Sequence, residues 1–440
     1  MKALALSLLP VLLVACACAA DDKEPPAPKL PLGKDTTFVL GPLDKHGYID
    51  YETALNAEMS KGVTAQNNAN ALLVQAFGPE PEGGELPLAY YKWLDIPVLP
   101  KEGDYFQGTG AYVVKQLGLT GERLEAFYEF QSRATQRPWA ADDCPPLAEW
   151  LKVNEKPLAK VLEATRRAEY FNPLVTRRKE GESSNLLGVL LPTVQKCREL
   201  AAALTTRAML KLKDGKVEDA WADVLACHRL ARLCSRGGTL IEALVGIAIG
   251  QIASNAALAV LDHPDLTAKQ ALKFQKDLRE LPAFASLADK IGVCERMMGL
   301  DALQGIRRGM NGDNAADGLG KLVAEEGGLA LDDQKKALAM MDWTTVMQTM
   351  NKRYDQMADA MRIKNRADRR KAFEKLEEEF KAVKKEYADA DKVKKLMEGK
   401  DAGKQVGKAL GEVLMSLLSP ATEKVQQAHD RATQTAANLQ

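Results

Sequence analysis

The chain reads as an all-α protein of packed helical hairpins, tetratricopeptide-like in part, followed by a long charged helical segment. Three observations predict this. The composition is rich in Ala, Leu, Lys, Glu and Met and has only 6% aromatics, which favours helix over sheet. Apolar residues recur at steps of three and four along most of the chain. Between Cys197 and His263, two amphipathic stretches flank a Lys-Asp-Gly-Lys break at 213–216, and a nearly uncharged run from Thr239 to Leu261 follows. That last unit is built to pack and carries no bond-making signature.

The first 20 residues read as an export signal, with Lys2 as the basic start and Leu4 to Val14 as an apolar run too short to anchor as a span. Leu13-Val14-Ala15-Cys16 fits lipidation at Cys16, and Ala17-Cys18-Ala19 offers a competing cleavage after Ala19. Residues 21–47 are charged and Pro-rich and read as a tether. Export and a lipid anchor predict a periplasmic or outer-membrane-anchored lipoprotein.

A helical core is predicted over 48–310. Asp50 caps a pattern through Leu55, Met59, Val63, Leu72 and Phe77, with a break near Gly62 and a stop at Gly78-Pro79. Residues 78–110 are rich in Gly, Pro and aromatics. They suit a short hairpin, pinned by its own rings or lining a ligand groove. Helices are expected at 111–117, 121–134 and 145–169, then a loop from Asn172-Pro173 through Ser184. Pro192 suits the first turn of a helix reaching Lys213. Further helices are expected at 217–233, 239–262, from Thr267 to Arg279, and at 283–308.

The Gly- and Asp-rich stretch 311–332 reads as a linker, and 333–440 as a charged, coiled-coil-like segment. There Phe373, Leu376, Phe380, Val383 and Tyr387 form a heptad seam that would suit homo-oligomerisation. Val406 to Leu418 reads as a short amphipathic helix with a frayed tail. The cluster from Arg362 to Lys371, followed by Glu374 to Glu379, reads as a solvated, internally paired helix whose basic end could take an anionic lipid or cell-wall polymer.

At 197–234 the chain resembles one tetratricopeptide-type repeat. Ala208, Ala220 and Cys227 stand at the small positions and Gly215 at the turn, while Leu204 and Lys211 replace the family's bulky aromatics, and no tandem copies follow. A wider resemblance is carried by Gly62-Val63-Thr64, Gly103-Asp104-Tyr105-Phe106, Arg137-Pro138-Trp139, Ala226-Cys227-His228-Arg229-Leu230 and Thr239-Leu240-Ile241-Glu242-Ala243-Leu244. Over residues 48–265 these resemble a group of exported helical proteins of planctomycete-type bacteria with no assigned activity. The resemblance implies export and a helical fold, and it carries over no functional residue.

Lys plus Arg and Asp plus Glu are equal at 60 each, so no global charge steers the chain to nucleic acid. Phosphate-cradling, dinucleotide-binding, zinc-protease and Gly-x-Ser-x-Gly signatures are lacking from the sequence, and no catalytic residue, metal or cofactor is assigned. Five cysteines follow the signal. Cys197 and Cys234 lie about 17 and 19 residues either side of the turn, so an antiparallel hairpin would bring them together as a possible disulfide.

Glu242 is the only charge between Gly238 and Asp262. If buried it requires a partner or a proton, and Arg229, Arg232 and His228 on the preceding helix are the expected partners. Gly237-Gly238-Thr239 opens the same helix and offers a weak anion-docking signal. The predicted role is a protein-interaction scaffold with an unknown protein partner. The alternatives are a cofactor-free hydrolase using Glu242 and the 90–106 aromatics, or an envelope spacer.

Overall fold

In the computed structural model, residues 27–81, 84–177, 184–189, 191, 193–310, 331–387 and 389–440 are described. Cys16, Ala19, Pro192 and nearly all of the 311–332 linker lie outside them. Helices dominate, and the only β features among the described residues are two isolated bridges. The hairpin expected within 78–110 is instead a short helix.

Local chemistry sets most helix ends. Asp50 accepts the Thr53 N–H at 3.1 Å and starts α1 (Tyr51–Met59). α2 (Ala69–Phe77) stops at Gly78, whose φ of +87° suits glycine and whose missing Cβ leaves room for the Tyr105 ring. α3 (Leu88–Leu94), α4 (Gly121–Ala134), α5 (Pro145–Val153) and α6 (Glu155–Ala164) follow. The break between α5 and α6 is Asn154, which turns inward to hold the Gln107 backbone through both amide atoms.

α7 (Val194–Lys213) and α8 (Val217–Arg236) form the expected hairpin around Gly215, at φ +73°. α9 (Leu240–Leu261) packs on both. Thr239 with Glu242 and Thr267 with Gln270 form capping boxes, opening α9 and α10 (Ala268–Arg279). α11 (Leu287–Asp289) runs through a π-helical turn, Lys290–Glu295, into α12 (Arg296–Met310). α13 (Leu331–Met340), α14 (Trp343–Arg362), α15 (Arg366–Tyr387), α16 (Ala390–Leu396) and α17 (Ala402–Asn438) complete the chain.

Three domain-level expectations need correction. The part of the tether from residue 27 on is folded: Leu30, Thr36 and Thr37 are buried, and Asn351 of α14 donates to the Asp35 and Thr36 carbonyls. Arg308 pairs with Asp44, and the Gln304 amide exchanges hydrogen bonds with both backbone atoms of Ile49. Second, the C-terminal segment is not separate. One apolar core gathers around α7, α8 and α9, and another joins Leu30, Tyr48 and Leu55 to α12, α14, α15 and α17. Third, α17 is 37 residues long and reaches back to α9, and Gln440 bonds to Leu278 and Arg279 where a frayed tail was expected. The heptad seam is used inside the chain: Phe373, Leu376 and Phe380 are buried, and Arg353 bridges Glu379 and Glu412 while lying over the Phe380 ring.

α9 is apolar and long enough to cross a membrane, yet here it serves as a core helix shared by its neighbours. Gly246 makes the α8–α9 approach possible, since a Cβ there would stand 2.7 Å from the Ala231 carbonyl oxygen and from the Ser235 nitrogen. Backbone atoms cannot swing aside as a side chain can. Gly246→Ala is therefore expected to destabilise the fold by about 1–3 kcal/mol, read from urea or thermal unfolding. An unchanged midpoint would show that the two helices separate freely.

Candidate functional site

Glu242 occupies the third position of α9 and is fully buried. Its Oε2 accepts the Thr239 N–H at 2.9 Å and the Thr239 hydroxyl at 3.0 Å. Oε1 accepts the Asn172 amide at 2.8 Å. Glu295 from the π turn accepts the Leu240 N–H at 2.9 Å, and Lys290 donates to the Gly237 carbonyl. Two carboxylates thus accept the Thr239 and Leu240 N–H groups at the opening of α9. The negative charge at this helix end is supplied from within the chain, which counts against an anion docking at Gly237-Gly238-Thr239.

The expected pairing of Glu242 with Arg229, Arg232 and His228 is also corrected. Arg232 lies flat on Phe284, 3.8 Å from the ring centre, and donates to the Pro282 carbonyl at 3.1 Å. Arg229 faces Asp277 and Glu280 on the outer side of α8. His228 is buried, and neither ring nitrogen has a hydrogen-bond partner among the described residues. The reason is geometric. Glu242 sits just past the α8–α9 turn, while Arg229 stands two helical turns back along α8, about 12 Å from Gly237 at 1.5 Å per residue.

From Glu242 a polar chain runs into an extended segment, residues 169–176, buried from Tyr170 to Val175. Asn172 Oδ1 accepts the Tyr90 hydroxyl at 2.6 Å. Asn68 holds the Phe171 N–H and carbonyl at 2.9 and 3.0 Å, and Asn56 does the same for Leu174 at 2.9 and 2.7 Å. Asn70 adds a contact to the Phe171 carbonyl at 3.2 Å. These asparagines do the work of a neighbouring strand. Their role went unread because their partners lie over 100 positions away. Only the Asn-Pro step at 172–173 hinted at an extended stretch.

Burial raises the Glu242 carboxyl, an effect partly offset by Thr239, Asn172 and the Lys290 ammonium. Burial likewise pushes His228 down to about 3. The aromatic loop is pinned by its own rings: Trp93 meets Phe171 edge-on, Phe106 meets Trp150, and the Tyr105 hydroxyl donates to Pro100. Only Tyr90 from that stretch joins the Glu242 network. Cys197 and Cys234 lie near each other across the α7–α8 hairpin, both buried and without an S–S bond between them.

Three surface clefts are described, and Glu242 lines none of them. One, of about 350 Å³, lies between the turn after α6, the outer face of α8 and the end of α10; Arg229 and Arg232 both line it. The basic cluster of α15 lines another, where Arg369 is committed to Asp430 and the Ile363 carbonyl and Arg370 to Glu374.

Glu242→Gln keeps the cap and is expected to change neutral-pH stability by no more than about 1 kcal/mol, whereas Glu242→Leu strands Thr239 and Asn172 and should cost about 2–4 kcal/mol. The folded carboxyl lies above its ordinary 4.5, so the stabilisation it gives is full below that pH and falls away as pH rises through the folded value. Unfolding midpoints across pH 4–8 should show Glu242→Gln lacking that fall. His228 behaves oppositely: its contribution is full above pH 6.5 and is lost as pH falls toward 3. His228→Leu should remove that acid loss and raise stability at pH 7 by about 1–2 kcal/mol, by removing two unpaired nitrogens. A destabilised His228→Leu would show that those nitrogens have partners in solution.

No family model, no curated protein and no solved structure matches this chain, so its chemistry is read from the side chains described above.

Proposed function

We propose that the protein is an exported, lipid-anchored helical scaffold that binds a protein partner and does no bond-making chemistry. Cys16 carries the anchor, and the outer face of α9 takes an amphipathic helix of the partner. The observation that carries this reading is the exposure of Ile241, Leu244 and Leu258 at 53%, 39% and 51% on one uncharged stripe. From Ile241 to Leu258 the stripe spans about 26 Å at 1.5 Å per residue. Gln251 and Asn255, joined by a 2.9 Å hydrogen bond, sit midway along it. An apolar helix face of similar length would bury against this stripe, with the amide pair setting register.

The enclosure of Glu242 counts against a hydrolase, because no described cleft lets a substrate reach it. The return of α17 onto α9 counts against an extended envelope spacer. The composition of residues 1–20 and the planctomycete-type resemblance support export.

The test is recovery of the intact lipidated chain from envelope extracts. One partner is expected to co-purify, and Leu244→Lys with Leu258→Lys should release it while the circular dichroism spectrum stays unchanged. Recovery of no partner, or of one indifferent to both substitutions, would overturn the reading.

A further inference from the structure

The 350 Å³ cleft beside α8 collects an unusual set of charges. Arg166, Arg167, Arg229, Arg232 and Arg236 line it with two carboxylates, Asp277 and Glu280, and Glu169 stands 3.9 Å from Arg236. One of those carboxylates is already engaged, since Asp277 accepts the Trp221 indole N–H at 2.8 Å. Three of the arginines are fixed by the fold. Arg167 donates to the Ala65 and Asn68 carbonyls at 2.6 and 2.9 Å, Arg232 is clamped between Phe284 and Pro282, and Arg236 donates to the Ala168 carbonyl.

Arg229 differs from these. It is half-buried and hydrogen-bonds to no described residue. The charges of Asp277 and Glu280 attract it, and Arg166 stands near enough for the two positive charges to repel. Like charges gathered in one partly desolvated cleft are unfavourable unless an anion joins them, and planar guanidinium forks match the oxygens of a phosphate group. No aromatic side chain lines the cleft, so a nucleobase has nothing to stack on. Leu233, Leu281 and Pro282 give it one apolar wall. The volume suits a small molecule or a headgroup.

We propose that this cleft is a binding site for a phosphate group, with Arg229 and Arg166 as its principal ligands. It lies apart from the α9 stripe and does not depend on the scaffold reading. The phosphate belongs either to a free phosphorylated molecule or to an anionic phospholipid headgroup.

Calorimetric titration of the full chain with sodium pyrophosphate, and flotation with vesicles of phosphatidylglycerol or of phosphatidylcholine, test this. Saturable binding at one site per chain is expected in one or both arms: pyrophosphate alone marks a soluble ligand, and phosphatidylglycerol without phosphatidylcholine marks a headgroup. Arg229→Gln and, separately, Arg166→Gln should each weaken the binding by about tenfold or more. Lys395→Gln on α16, remote in sequence and exposed, should leave it unchanged. The proposal is overturned by no saturable binding in either arm, or by binding that persists in both arginine variants when circular dichroism shows them folded.

Discussion

The fold depends on how one extended segment is kept from being a buried, unsatisfied backbone. Residues 170–176 cross the interior; Glu169 ahead of them pairs by backbone in a bridge to Asn68, and among the described residues no strand lies alongside the rest. Asn56 and Asn68 each grip one residue of the segment by both its N–H and its carbonyl, and Glu52 takes Thr176. A buried amide left unpaired costs on the order of 1–3 kcal/mol, so this side-chain substitute for a sheet holds several such costs in check at once. Asn172 then carries the connection to Glu242, and α1, α2 and the start of α9 become parts of one hydrogen-bonded unit.

α9 sits at the other end of that unit and is shared between the halves of the molecule. Its glycine side approaches the α8 backbone, while its first turn is locked by carboxylates from its own chain and from the π turn. The π turn itself places Lys290 and Glu295 on the α9 terminus, which an unbroken α-helical register would rotate away. α17 closes the arrangement from the opposite direction: it packs on α14 and α15, and its far end touches α9 and α10. The two apolar cores are consequently welded along α9 rather than joined by a linker.

Charge is sorted by the same geometry. Carboxylates that point inward are consumed as backbone acceptors: Glu242 and Glu295 at the start of α9, Asp301 on Ser184 and Leu186. Asp223 is instead paired with Arg207 and Lys211. The arginines of the outer α8 face and of the turn after α6 gather at one cleft, five of them with the three carboxylates of Asp277, Glu280 and Glu169. The inward carboxylates thus maintain structure, while buried His228 has no partner among the described residues.

Much of this was legible in the amino-acid order. Helix positions followed from three-and-four periodicity, and the starts of α1 and α10 from Asp50 and Thr267, because caps act within a few residues of themselves. The α7–α8 hairpin, with Ala208, Ala220 and Cys227 all buried, followed from Gly215 and the stripes either side. The isolation of Glu242 in an apolar run meant that, if buried, it would require a partner or a proton, and it is buried. Which groups partner it was settled only in three dimensions. Asn172 lies 70 positions away, and hydrogen bonds act over 3 Å in space with no regard to sequence separation. The burial of Leu30, Thr36, Thr37, Tyr48 and Ile49, the return of α17 and the convergence of five arginines share that origin. Periodicity tells a helix which side is apolar, but packing alone decides which apolar side it meets.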